Sequence, residues 1–327
     1  MTSIKDVAKE AGVSVATVSR VINNKGVCTP DTVEAVMNAV KKLGYKPSFF
    51  GKALRSSETN IIMVMLSSLA NTFCGRVIHA IDKMASNAGY HVMICTTEGI
   101  KAKEDYYTTF ACNGLFDGII ILNSSLSKDE MAALSSQIPV VQCNEYIDTE
   151  NTTYITIDNK VAAYDAVSLL IANGNKKIVF YTVDNDLASS RERLAGYKEA
   201  LKDNNIVFDE DLVVYGNYGY RNAVTQFESF MYNGKEFDSV FAISDRMAAG
   251  VLSVLTSQKV KVPEEVEVIG FDNTDISYTT NPKITTIAPP HYELGSKAFN
   301  QLQSLMAGNK PNNIILSHKI ILRDSTI

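Results

Sequence analysis

The sequence lacks the long apolar runs of a protein embedded in a membrane. No run approaches the ~18 consecutive apolar residues that a spanning helix requires. The N-terminus carries charge every few residues and has no apolar signal-peptide core. We therefore expect a cytoplasmic protein without a membrane partner.

Cysteine and histidine are too few and too scattered to build a disulfide framework or a metal site. The five cysteines are odd in number and include no CxxC pair, and the four histidines form no HxxxH. Cysteines of this kind are typically buried thiols that pack as small apolar residues. We expect neither a metal nor a cofactor.

Catalytic motifs are also missing. The sequence has no GxGxxG, no GxxxxGK[ST] and no GxSxG, and its acidic residues and histidines form no recognisable catalytic pair. The sequence therefore argues against an enzyme.

What is present is a globular composition with an uneven distribution of charge. Apolar residues make up 46% of the 327 residues and charged residues 20%, which excludes a wholly disordered chain, a collagen and a long coiled coil. The net charge of −5 argues mildly against nucleic acid. Residues 1–60, however, hold nine basic and five acidic residues, a net +4, and the rest of the chain carries −9. This asymmetry indicates that the basic segment binds nucleic acid.

The basic segment has the pattern of three short helices. Ser3 with Asp6 three positions later predicts the first N-cap, Ser14 predicts the second and Thr29 the third. The third helix has an apolar stripe formed by Val33, Val36, Met37, Val40 and Leu43. Two short helices joined by a Gly-containing turn favour a helix-turn-helix, whose second helix enters the major groove of DNA.

The second helix presents small and polar side chains on the face away from its apolar residues. Small residues let the backbone approach the bases, hydroxyl groups bond to phosphates, and Arg20 alone there can contact guanine in a bidentate manner. The alternative is a solvated face on an ordinary three-helix bundle. The candidate DNA-binding residues are Ser14, Val15, Ala16, Thr17, Ser19 and Arg20.

From residue 60 onward, apolar runs alternate with amphipathic helical segments. The first cycle has strand-like runs at 61–66, 91–96, 118–122 and 139–143, with helical segments between them, and a second cycle starts near residue 154. Two such cycles predict an α/β structure of two doubly wound parallel sheets, each covered by helices on both faces.

Polar residues directly follow several of these strands. Ligands of doubly wound sheets bind outside the carboxyl ends of the strands, which predicts a binding cleft between the two lobes. Each residue taken alone is more typical of a loop cap, but their shared position favours ligand contact. The residues at these strand ends are Asn71 with the aromatic Phe73, Asn123-Ser124-Ser125, Asn144-Glu145, Ser244-Asp245-Arg246 and Asp272-Asn273, of which we assign Asn71, Phe73, Asn123, Asn144, Ser244 and Asp272 to the effector.

Ordered motifs along essentially the whole chain resemble the LacI/GalR family of bacterial transcription regulators. In the basic segment the resemblance runs from 3–8 through 13–21 to Tyr45-Lys46-Pro47 and Leu54. Further along it includes 193–197, 244–245, 268–272 and 284–287. The resemblance implies a sequence-specific DNA-binding regulator, most simply a repressor, that acts as a homodimer on a near-palindromic operator.

The resemblance also implies a domain organisation. A helix-turn-helix head would span 1–46, a hinge helix and linker 47–59, and an effector-binding and dimerisation domain with a periplasmic-binding-protein-like fold 60–327. The first lobe would comprise about 60–158 and 289–321, ending in one strand at 314–321. The second would comprise about 159–288 and 322–327.

The family places further residues at the DNA and at the effector. A hinge leucine, here Leu54, wedges into the minor groove. We also assign Ser3, Tyr45, Lys52 and Arg55 to the DNA-binding surface. The family's effector site has an arginine at the position of Arg193, a carboxylate at that of Asp272, and stacking aromatics at those of Phe73 and Tyr218, although core packing explains the aromatics equally well. Ser244 stands where the family usually has asparagine.

Motifs at 144–146, 157–167 and 271–276 resemble the cytidine-responsive branch of the family. This narrower resemblance favours a nucleoside over a free sugar as the small-molecule effector. Three alternatives stay open: a solute-binding protein, an enzyme, and a regulator that responds to a protein corepressor.

Overall fold

The computed structural model describes residues 2–22, 28–45 and 59–327, and the chain divides into two compact units, Met1–Thr59 and Asn60–Ile327. The small unit contains helices α1 (Ile4–Glu10), α2 (Val15–Ile22) and α3 (Pro30–Leu43). Ser3 and Asp6 form the predicted capping box at the start of α1. Gly44, with φ of 58°, ends α3 in the left-handed conformation that glycine adopts without strain.

The start and the apolar face of α3 differ in part from the prediction. Thr29 occupies the N-cap position, but its hydroxyl lies 2.8 Å from that of Thr32 and makes no capping bond to the backbone. Val33 and Met37 are exposed, whereas Ala39 is buried beside Val36. Three short helices meet along a narrow seam, so only one side of the predicted stripe is covered.

The large unit contains two six-stranded sheets. Their strands are β1 (Ile61–Leu66), β2 (His91–Thr96), β3 (Gly118–Ile121), β4 (Val140–Cys143), β5 (Thr152–Ile157), β6 (Ile178–Val183), β7 (Val213–Gly216), β8 (Ser239–Ala242), β9 (Glu267–Phe271), β10 (Thr285–Ala288), β11 (Ile314–Leu316) and β12 (Lys319–Ile321). The first sheet has the order β11-β5-β4-β3-β1-β2 and is parallel throughout. The second has the order β12-β10-β9-β8-β6-β7 and is parallel except at β12. The predicted doubly wound sheets are therefore confirmed.

Helices cover both faces of these sheets. They are α4 (Thr72–Asn87), α5 (Lys101–Ala111), α6 (Lys128–Ser135), α7 (Asn159–Ala172), α8 (Ala188–Asp203), α9 (Tyr220–Tyr232), α10 (Asp245–Ser257), α11 (Ile276–Thr279) and α12 (His291–Met306), with a 3-10 turn at Glu210–Leu212.

The chain crosses between the lobes after β5, after β10 and after β11. The single strand predicted at 314–321 is wrong, because β11 pairs with β5 of the first sheet while β12 pairs antiparallel to β10 of the second. Residues 319–321 therefore belong to the second lobe. Ser317 and His318 interrupt the apolar run, and His318 Nε2 lies 3.0 Å from the Asp165 carboxylate of α7.

Candidate functional site

The second helix of the small unit exposes the face that the sequence assigned to DNA. Val18 and Val21 are buried against the other helices, while Val15, Ala16 and Arg20 are exposed. Thr17 and Ser19 are half-buried, and Ser14 Oγ accepts the backbone N–H of Thr17 at 3.1 Å. The face is thus a shallow surface of small side chains with one long cation, as a helix in the major groove requires. Contact of these residues with DNA stays a prediction.

The remaining head residues assigned to DNA have local roles or lie outside the described part of the chain. The Ser3 hydroxyl donates to the Asp6 carboxylate at 2.7 Å within the capping box. The half-buried Tyr45 packs against the core of the small unit. Lys52, Leu54 and Arg55 lie outside the described residues, as does the predicted hinge up to residue 58.

A cavity of about 560 Å³ lies between the two lobes of the large unit, at the carboxyl ends of the strands. This is the place that doubly wound sheets offer to a ligand. Every residue that the sequence assigned to the effector lines it: Asn71, Phe73, Asn123, Asn144, Arg193, Tyr218, Ser244 and Asp272.

Several of these residues also hold their own loops in place. Asn71 Oδ1 accepts the Phe73 N–H at 3.0 Å and so caps α4. Ser244 caps α10 by accepting the Met247 N–H at 3.2 Å. Asn123 accepts the Ser67 N–H at 2.7 Å, which joins the loops after β3 and β1. The sequence analysis treated a loop-capping role and a ligand-binding position as alternatives. In the structure, the same residues cap their loops and line the cavity.

Arg193 is fixed deep in the second lobe and is 4% exposed. Its Nε donates to Asn159 Oδ1 at 2.9 Å, and its Nη1 donates to the Ile243 carbonyl at 2.8 Å. The guanidinium carbon lies 3.5 Å from the centre of the Phe271 ring. Because Nε and Nη1 are held by the protein, Nη2 is the nitrogen best placed to bind a ligand.

A glycine allows the helix that carries Arg193 to come close to its neighbour. A Cβ at Gly196 would lie 2.1 Å from the Lys160 carbonyl oxygen of α7. The bare glycine lets α8 pack onto α7, and this packing brings Arg193 within reach of Asn159. The Arg-Leu-Ala-Gly-Tyr motif at 193–197 is thus a packing device as well as a source of the arginine.

Two buried carboxylates of the second lobe have raised pKa values. Burial raises the pKa of Asp272 to about 6, with Arg193 acting in the opposite direction and the charge of Glu145 adding to the rise. Burial and then the charge of Asp272 raise the pKa of Asp245 to about 7. Asp245 accepts hydrogen bonds from the backbone N–H of Thr274 at 2.6 Å and from the Thr286 hydroxyl.

Asp245→Asn is expected to change how stability depends on pH. Because the folded-state pKa is raised from 3.8 to about 7, the native state holds more protons than the unfolded state in that window, and stability falls as pH rises through it. At pH 8 the variant should be more stable than the wild type by about 4 kcal/mol, with little difference at pH 4. Melting temperatures across pH 4–8 measure this. Exposed Asp184→Asn is the control, and parallel profiles for wild type and Asp245→Asn would contradict the prediction.

Contacts between the lobes close the cavity on one side. Ser189, in the first turn of α8, donates its backbone N–H to Glu145 Oε2 at 3.1 Å and its hydroxyl to Oε1 of the same carboxylate. The next residue along the first lobe, Tyr146, donates its hydroxyl to Glu192 at 2.5 Å. Both carboxylates therefore take part in closing the cleft, Glu145 from the first lobe and Glu192 from the second.

Two arginines also bridge the lobes. Arg246 Nη2 of α10 donates to the Ala70 carbonyl of the first lobe at 2.6 Å. Arg76 Nη1 of α4 donates to the Asn273 carbonyl of the second lobe at 2.8 Å, and its Nη2 pairs with Asp275 at 2.5 Å. The residues that bridge the lobes are thus close neighbours of the candidate effector residues on the same loops.

Two cavity residues, Glu104 and Ser189, were not recognised from the sequence, and a third, Glu145, was not included among the assigned effector residues. Glu104, 3% exposed, accepts the Ser125 N–H at 2.8 Å. Glu104 shares one face of α5 with Tyr107 and Ala111, and an acidic residue on an otherwise apolar helix face indicates a buried carboxylate. Glu145 follows β4 together with Asn144, and both were predicted to lie at this strand end. Ser189 had no signal in the sequence, since only the packing of the lobes places it.

The described residues offer no support for a metal centre or a membrane span. Within 2–22, 28–45 and 59–327, no group of three or more metal-ligating side chains comes together. No helix in those ranges is long and apolar enough to cross a bilayer. The five cysteines are free thiols, and burial, followed by the charges of Asp272 and Glu145, raises the pKa of the cavity-lining Cys74 to about 12.

Each unit of the chain matches a described protein family. Residues 3–48 match "Bacterial regulatory proteins, lacI family", and residues 167–326 match "Periplasmic binding protein-like domain". The first match covers the helix-turn-helix, and the second covers most of the second lobe and the return to the first.

Individual relatives extend this similarity over the whole length. HTH-type transcriptional regulator RegA of Clostridium saccharobutylicum is 32% identical, covering 100% of this chain and 99% of RegA. HTH-type transcriptional repressor CytR of Escherichia coli strain K12 is 31% identical, covering 99% of this chain and 96% of CytR. The structure of the Lac repressor bound to ONPG in the repressed state aligns with a TM-score of 0.87 at 25% identity, covering 99% of both chains.

Proposed function

Because the chain belongs to the LacI family of bacterial transcription regulators, we propose that it is a repressor whose operator affinity is set by a nucleoside in the cavity between its lobes. Binding DNA through the head and an effector through the lobes is the shared activity of the family. The observation that carries the proposal is that one cavity collects all eight side chains assigned to the effector from the sequence.

The chemistry of the cavity supports a hydroxylated ligand with a planar ring. Arg193 offers guanidinium donors, and the ionised form of Asp272 only accepts, so a sugar hydroxyl can bond to both. Phe73 and Tyr218 line the same cavity and offer aromatic surface to a base. A cavity of about 560 Å³ suits a ligand of this size. A free sugar is the second candidate, since it would use the same arginine and carboxylates.

On the DNA side we propose a homodimer on a near-palindromic operator. Two copies of α2 related by two-fold symmetry match two half-sites. The effector would change lobe closure through the contacts that flank its site, a coupling of about 1–3 kcal/mol between the two sites. A protein corepressor in place of a metabolite is the alternative for control.

Nucleosides are expected to raise the melting temperature of the full chain and to change its operator affinity. At a concentration 100 times Kd, a ligand that binds only the native state adds about 2.7 kcal/mol, or several degrees for a chain of this size. A thermal-shift series of nucleosides and sugars, followed by operator titrations with each ligand that shifts the melting temperature, measures both effects. If no compound changes either quantity, the proposal is wrong.

A further inference from the structure

The helix that carries Arg193 has an unusual N-terminus. Leu187 occupies the N-cap position of α8 and has no side-chain group to cap it. Glu145 of the opposite lobe takes this place instead, accepting from both the backbone N–H and the hydroxyl of Ser189. The first turn of a helix attracts anions, because its N–H groups are unpaired and the helix dipole is positive there. A carboxylate of the protein thus already occupies the anion-binding position.

The remainder of the cavity is also poor in places for an anion. Its lining includes four carboxylates but only two guanidinium groups: Glu104, Glu145, Asp245 and Asp272 against Arg193 and Arg246. Of the other long helices that start at the cavity wall, α4 is capped by Asn71 and α10 by Ser244, whereas α9 starts after Gly219 without a side-chain cap. Arg246 already donates to the Ala70 carbonyl. A phosphate in this cavity would therefore meet more carboxyl groups than guanidinium groups.

We propose that Glu145 sets the charge selectivity of the cavity by filling the anion position at the start of α8, so that the effector carries neither a phosphate nor a carboxylate group. The inference rests on the proposed function and narrows it: the ligand is a nucleoside or sugar, not its phosphate ester. A phosphate ester would have to displace Glu145 from Ser189 or remain beside a like charge, and either event weakens binding.

Glu145 is well suited to substitution because its partner tolerates the change. In Glu145→Gln the amide oxygen can still accept from the Ser189 N–H, and the Ser189 hydroxyl can accept from the amide N–H. Glu145→Ala removes the side chain and opens the start of α8 to an external anion. Exposed Glu264 serves for matched control variants, since it lies away from the cavity lining.

The first test compares each neutral compound with its phosphate ester by calorimetry on the full chain, using cytidine with cytidine 5′-monophosphate and glucose with glucose 6-phosphate. For a compound that binds the wild type, the ester should bind at least about tenfold more weakly, and Glu145→Gln should shrink that ratio while Glu264→Gln preserves it. An ester that binds the wild type as tightly as its neutral parent overturns the inference but leaves the proposed function standing.

The second test needs no knowledge of the effector. Inorganic phosphate should raise the melting temperature of Glu145→Ala by at least twice as much as that of the wild type or of Glu264→Ala. Equal shifts in all three proteins overturn the inference, even if nucleosides and sugars bind. If neither nucleosides nor sugars bind, the proposed function fails, and the phosphate result still decides whether Glu145 fills an anion position.

Discussion

Arg193→Ala is expected to abolish the response to the effector while operator binding persists. The substitution removes the guanidinium from the wall of the cavity and leaves Asp272 and Glu145 without the cation beside them. Loss of one partner from a buried, charge-assisted contact costs about 3 kcal/mol or more, so Kd for the effector should rise at least 100-fold. Operator affinity without effector should change little, because the DNA-binding residues belong to the small unit.

Two further variants separate a binding role from a structural one. Arg191→Ala removes an exposed arginine of the same helix, whose Nη1 pairs with Asp186 at 2.9 Å, and it should leave effector binding intact. Arg193→Lys keeps the charge but loses the planar fork, so its affinity should lie between those of the wild type and Arg193→Ala. Calorimetry with the effector and operator titrations measure both sites. An unchanged effector titration for Arg193→Ala would refute the assigned role.

Arg20→Ala is expected to weaken operator binding strongly and leave effector binding unchanged. Arg20 is exposed on α2, opposite the buried Val18 and Val21. A bidentate contact to guanine contributes about 1–3 kcal/mol of discrimination, and a dimer makes it in both half-sites, so the total loss is about 2–6 kcal/mol. Fluorescence anisotropy with operator and with random DNA at one salt concentration should show the loss mainly on the operator.

A charge-matched control decides between base reading and general electrostatics. Lys41→Ala removes an equal charge from α3, which is not the helix assigned to the major groove. A lost phosphate contact weakens binding about equally for all sequences, whereas a lost base contact lowers specificity. If Arg20→Ala weakens binding to operator and random DNA equally, Arg20 contacts phosphates and the base-reading assignment is wrong.

The order of elements was largely readable from the sequence. Apolar runs bounded by polar loops located β1, β3 and most other strands, because a strand buried on both faces must be apolar along its length. The predictions were wrong where a helix is buried on only one side and where one apolar run contributes to two sheets. On α3, Val33 and Met37 were predicted to be part of the apolar face but are exposed. The run at 314–321 was assigned to one sheet, although its two halves belong to different sheets.

The candidate effector residues were readable for a related reason. The carboxyl ends of parallel strands lie at one edge of a sheet. Polar residues after β1, β3, β4, β8 and β9 were therefore expected to face one cleft. The family resemblance supplied Arg193, which lies inside α8, and Tyr218, which lies in the loop after β7. Contacts across the cleft were not readable, since Glu145 and Ser189 are 44 residues apart and become neighbours only when the lobes close.

The sequence by itself determined the basic head, the two α/β cycles and the family, since these depend on local periodicity, charge and motif. The tertiary structure alone decided which charges share the cavity. Asp245 and Asp272 each follow a different strand, and only their common burial raises the pKa of both. Glu145 acquires its role because packing places a first-lobe carboxylate at the start of a second-lobe helix, a relation that no local pattern encodes.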